Sequence, residues 1–211
     1  MTTTTPTAIT TTATTTSARR ALRAWLIWVS GFLAFPVAGV AGIAVGGQVD
    51  RPTVAALGGL ATGGVLGLGQ ALASSGRLPI RRWIVATAAA MAAGLPAGAH
   101  LVGYGTSLRD LAVMGAVTGA VLGPAQAMAL PRRAHHRWAW AAAMPVLWAT
   151  GWTVTTSAGI LVTDQFTTFG ASGAVTVTAV LGILLHLILP PAPRTLDPAG
   201  QALTHPTGGR S

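Results

Sequence analysis

Gly115-Ala-Val-Thr-Gly119-Ala-Val-Leu-Gly123 decides the fold of this chain, because its ladder of small residues occurs three times. Upstream it reads Gly59-Leu-Ala-Thr-Gly63-Gly-Val-Leu-Gly67, and downstream Ala174, Thr178 and Gly182 keep the spacing. Residues four apart share one face of a helix, so each copy presents a groove of small side chains. In lipid, apolar packing gains little over lipid tails, and such grooves let helix backbones approach closely. The ladder therefore predicts helices packed inside a membrane.

Composition agrees. The chain has 211 residues, 51% hydrophobic and only 8% charged, with mean hydropathy +0.60. A soluble domain carries about 25% charged residues, so a water-soluble globule is excluded. A membrane span needs roughly 20 apolar residues, and six stretches fit: 25–47, 54–74, 83–104, 110–130, 138–160 and 168–189. The expected fold class is all-α, an integral membrane bundle of six transmembrane helices. Residues 1–18, rich in threonine, and 191–211 are expected to be disordered tails around a membrane domain at 19–190. The run after Arg19–Arg23 is too long for a signal-peptide core and is expected to be retained as the first span.

Each unit of the repeat is two spans, at about 25–74, 83–130 and 138–189. Odd spans start with tryptophan and reach a glycine eleven residues later: Trp28 to Gly39, Trp83 to Gly94, Trp140 to Gly151. Even spans carry the ladder, a glycine zipper of Gly59, Gly63 and Gly67, then Gly115, Gly119 and Gly123, with Gly182 as its remnant. Gln70-Ala71 and Gln126-Ala127 follow the first two ladders, whereas Leu185 and His186 stand in the third. Two spans per unit give all units one orientation, so the repeat is parallel with its axis along the membrane normal.

All thirteen basic residues are arginine. Eleven fall on one side of the predicted membrane, and only Arg51 and Arg109 on the other. The positive-inside rule then places both termini in the cytoplasm, in a bacterial plasma membrane. The arginines read as a topology signal that touches anionic lipid. A nucleic-acid surface would need a basic folded face with aromatics, and none is left outside the spans. Trp25, Trp28, Trp83, Trp138 and Trp140 sit where odd spans enter the membrane and are expected to form an interfacial belt. Trp148 and Trp152 lie deeper, as packing or lipid-facing residues.

Chemistry-bearing groups are few. Gln70 and Gln126 occupy equivalent positions near one end of even spans, and a threefold arrangement brings them towards one axis. His186 is one residue, or about 100° of helix, out of register. These three are the candidate polar constriction; the plainer reading is interhelical hydrogen bonding. His100 stands alone, without a second ligand at metal-site spacing. Val102-Gly-Tyr-Gly105 resembles a potassium filter but ends a full span, and it has no counterpart in the other units. With no cysteine and four aspartates, no catalytic set, cofactor site or metal site is expected.

The glycine ladder, Gln-Ala pair, arginine turn and Trp-led span together resemble small multi-pass bacterial membrane proteins of uncharacterised function, over about Trp25 to Pro190. That resemblance implies a membrane location and no activity. Mitochondrial carriers share the three-times-two layout, but their Pro-x-Asp/Glu-x-x-Lys/Arg signature is missing here. Two functions stay open: a non-enzymatic structural or interaction protein, with a membrane-protein partner or a homo-oligomer, and a small-solute transporter or channel.

Overall fold

A computed structural model of the chain describes residues 9–160 and 167–189. Among these, all regular structure is helical: α1 (Ile9–Ser30), a 3-10 turn (Gly31–Leu33), α2 (Ala34–Gly46), α3 (Pro52–Ala73), α4 (Ile80–Leu101), α5 (Leu108–Ala129), α6 (Arg137–Ser157) and α7 (Ala171–Ile188). The 3-10 turn joins α1 and α2 into one bent rod. Helix α1 starts at Ile9, so helical backbone reaches back into the stretch 1–18 expected to be a tail. The tail expected at 191–211 lies outside the described residues.

Five rods are long and apolar enough to cross a membrane: Ala18–Gly46, α3, α4, α5 and α7. Helix α6 is as long, but four tryptophans, four threonines and Arg137 make it less apolar. Side-chain orientation is that of a membrane bundle. In α3 the glycines at 58, 59, 63 and 67 are buried, whereas Leu57, Leu60, Leu68 and Leu72 face outward. Large apolar residues outside and glycine inside invert the soluble pattern and suit a lipid surround.

Local chemistry sets the helix ends. Pro52 opens α3 at a position where its missing N–H costs nothing. Ser107 caps α5 by accepting from the Asp110 N–H at 3.2 Å. Helix α4 ends where Gly103 and Tyr104 turn left-handed, with the Tyr104 N–H on the Ala99 carbonyl at 2.8 Å. Val102–Gly105 is thus a helix terminus.

Consecutive rods pack side by side, and α7 returns to α1, so the helices close a ring. The ladders are the seams. A Cβ on Gly59, Gly63 or Gly67 of α3 would meet Met91 O at 2.5 Å, Thr87 O at 2.6 Å and Ile84 Cα at 2.9 Å in α4. On Gly115, Gly119 and Gly123 of α5 it would meet Trp148 O at 2.7 Å, Met144 O at 2.5 Å and Ala141 O at 2.6 Å in α6. Each glycine thus lies against the neighbouring helix backbone, where only hydrogen fits. The third ladder faces α1, and Gly182 lies against the indoles of Trp28 and Trp25.

Candidate functional site: a tryptophan–glutamine cluster on the ring axis

Trp28, Trp83 and Trp140 come from α1, α4 and α6 and are at most 1% exposed. The belt expected for them is therefore corrected: these three fill the inside of the ring at its arginine-rich end. Trp138 is exposed and Trp25 half-buried. The Trp83 and Trp140 rings meet edge to face at 5.6 Å and 74°, and Trp28 and Trp140 at 6.4 Å and 79°. Such T-shaped pairs contribute about 0.5–1.5 kcal/mol beyond burial.

A buried indole N–H needs an acceptor, and α3, α5 and α7 supply all three. Trp83 Nε1 donates to Gln70 Oε1 at 2.9 Å, and Trp140 Nε1 to Gln126 Oε1 at 3.0 Å. Trp28 Nε1 donates to the Thr178 carbonyl at 2.9 Å. Gln126 Nε2 then donates to Gln70 Oε1 at 3.3 Å and to Thr87 Oγ1 at 3.0 Å. Gln70 and Gln126 are buried. Five side chains from four helices form one hydrogen-bonded chain, from Trp83 through the two glutamines and Thr87 to Trp140.

The structure thus brings Gln70 and Gln126 together but leaves His186 out. Its Nδ1 lies 2.9 Å from the Gly182 carbonyl one turn back on α7. Leu185, fully buried, fills the core one residue earlier. The 100° offset in sequence is an actual offset in space.

The opposite half of the ring is closed differently. The described residues that lead into α7 fold inward. Thr167, Thr168 and Phe169 are buried. Phe169 stacks on Phe35 at 5.0 Å and meets Trp148 and Trp152 edge-on at 5.2 and 6.0 Å. Trp148 and Trp152 are therefore packing residues. Thr62 Oγ1 lies within hydrogen-bond distance of Ala38 O (3.1 Å) and Thr167 Oγ1 (2.6 Å), pinning the segment to α2 and α3. No sequence periodicity marks Phe169, because the other units have no counterpart.

Arg77, between α3 and α4, was legible only as topology. Its Nη2 donates to the carbonyls of Leu185 at 3.0 Å and Leu189 at 2.7 Å, capping α7, as cations suit helix C-termini. The His135 N–H caps Ile188 O at 2.9 Å. Burial, and then the neighbouring Arg133 guanidinium, hold the Arg77 pKa below the ordinary arginine value.

Indole, amide and hydroxyl groups can hydrogen-bond but have no acid, base or nucleophile near neutral pH. Among the described residues no three His, Cys, Asp or Glu side chains gather as metal ligands. His100 is exposed, with its ring 6.4 Å from Tyr104. The fold and site define a helical membrane protein whose interior is filled by a neutral hydrogen-bonded cluster. No family model, curated protein or solved structure matches this chain.

Proposed function

We propose that this chain is a non-enzymatic structural or interaction protein of the bacterial cytoplasmic membrane. It spans six times, with both termini inside, as three parallel two-helix units around one axis. The glycine seams support the units, since Gly59, Gly63 and Gly67 make the same kind of backbone contact as Gly115, Gly119 and Gly123. The one-sided distribution of arginine supports the orientation. Helix α6 counts as a span because it closes the ring between α5 and α7.

One observation carries the functional reading. The axis is plugged at the arginine-rich end by three buried indoles, two of them bonded to glutamine. A satisfied polar network of this kind rigidifies a core. Its role is then to hold the bundle in one shape and present its outer faces to lipid and to protein neighbours.

The second reading, a small-solute pathway past Gln70 and Gln126, draws on the 3.3 Å approach of the two amides. It requires the indoles to swing out of the axis. Proteoliposomes separate the readings. Swelling or efflux of small polar solutes should match protein-free vesicles for the wild type. Wild-type flux that falls in a Gln126→Leu variant would overturn the structural role.

A further inference from the structure

Helices α4 and α5 leave a groove of about 590 Å³ on the outer face of the ring. Arg81 and Arg82 stand at its mouth, with Val85 and Ala89 from α4 and Ala125 and Met128 from α5 along its walls. Both arginines, Val85 and Met128 are exposed. From Arg81 to Ala89 is eight residues, about 12 Å of helix, against roughly 15 Å for one leaflet's hydrocarbon. The trench therefore starts at headgroup level and runs most of the way to the midplane.

Charge at this end is unbalanced. The described aspartates, Asp50 and Asp110, lie at the opposite end, and Asp50 is already 3.8 Å from Arg51. The first turn of α4 holds Arg81 and Arg82, no acid, and no side-chain acceptor at its cap. Its helix dipole adds to the positive charge instead of offsetting it. A second outer groove, lined by Ala116, Pro145, Val146, Ala149, Thr150 and Thr153, carries no charge and suits any lipid tail.

We infer that the α4–α5 groove holds one anionic phospholipid, its phosphate on Arg81 and Arg82 and one acyl chain along Val85, Ala89, Ala125 and Met128. The phosphate supplies the counter-charge that the two arginines lack, and the alanines leave the width for a tail.

Native mass spectrometry of the full chain released from detergent tests this, with phosphatidylglycerol and phosphatidylcholine of identical chains as probes. The wild type should retain one phosphatidylglycerol in preference, and Arg81→Gln with Arg82→Gln should cut that preference by about fivefold per arginine. Arg132→Gln with Arg133→Gln, removing equal charge elsewhere at the same end, should leave it unchanged. Ala89→Phe, which fills the trench beneath intact arginines, should also weaken retention. Equal losses in both arginine pairs, or no loss in the first, would overturn the site. Full retention in Ala89→Phe with displacement by inorganic phosphate would reduce it to an anion site and overturn the lipid assignment. All five positions are exposed, so an unfolding midpoint no lower than that of the wild type identifies properly folded variants.

Discussion

Two seams of the ring, α3 against α4 and α5 against α6, differ from the third, α7 against α1, in what lies against the ladder. In the first two, glycine at every rung brings the helices to backbone contact, with Met91 O and Trp148 O in equivalent places against Gly59 and Gly115. In the third, Ala174 and Thr178 replace two glycines, and what lies against Gly182 is a pair of indoles. Trp28 bonds to the Thr178 carbonyl and Trp25 to the Ala179 carbonyl at 3.0 Å. Larger rungs hold the helices apart, and tryptophan fills the gap. The glutamines follow the same division. Where helices touch, the indole of the next helix finds a glutamine side chain; where they stand apart, it reaches the helix backbone, and Leu185 occupies the core. Ring closure at the worn seam is completed by the Arg77 cap on α7.

The largest expected effect lies in the close seams. Gly119→Ala places a Cβ against Met144 O, a backbone atom that cannot rotate away. It should cost about 2–3 kcal/mol in denaturant unfolding from detergent micelles. Gly182→Ala meets only indole side-chain atoms and should cost about 1 kcal/mol. Gly64, where a Cβ meets nothing within 4 Å, should gain about 0.5–1 kcal/mol on becoming alanine, from helix propensity. Equal costs at Gly119 and Gly182 would erase the distinction between the seams.

Next comes the hydrogen-bonded chain. Gln126→Leu leaves the Trp140 N–H buried without its acceptor and should cost about 1–3 kcal/mol. In a Trp140→Phe background the cost should shrink, giving a coupling of about 0.6–1.7 kcal/mol in a double-mutant cycle. Leu185→Gln tests the third corner. Trp28 is already bonded to backbone there, so the new amide should destabilise, by about 1–3 kcal/mol; a stabilising result would mean that the corners are interchangeable.

The smallest effect concerns the cap. A lowered pKa in a base means that the fold disfavours its cation. That cost is present at every pH below the folded Arg77 value and fades only as pH rises through it, so stability should be flat across the neutral range from this source. Arg133→Gln removes the repulsion and should raise stability by under about 1 kcal/mol, discounted for solvent screening. The gain should vanish in high salt.

Sequence periodicity carried most of this architecture. The ladder at Gly59 and Gly115 predicted close seams because steric demand at a helix crossing is written in residue size. Gln70 and Gln126 meet, and the signal for it was their like place after the two glycine ladders. Trp28, Trp83 and Trp140 were misread because an amphipathic indole suits both an interface and a buried core. Their fixed eleven-residue distance to glycine was the available signal, since a lipid belt demands no such register. Arg77 acts on carbonyls more than a hundred residues away, and Phe169 joins distant Phe35 to its nearer neighbours Trp148 and Trp152, so no local pattern could announce them.

The central claim is that the axis is dry at the Trp–Gln cluster. The cysteine-free chain allows single cysteines at Gln70, Gln126, Leu185 and Thr118, and at exposed Arg81 as a positive control, probed in membranes with a small water-soluble thiol reagent. The account predicts rapid labelling at 81 and protection at the four buried positions. Labelling that continues from 126 to 118 would mean an aqueous path through the ring and would contradict it.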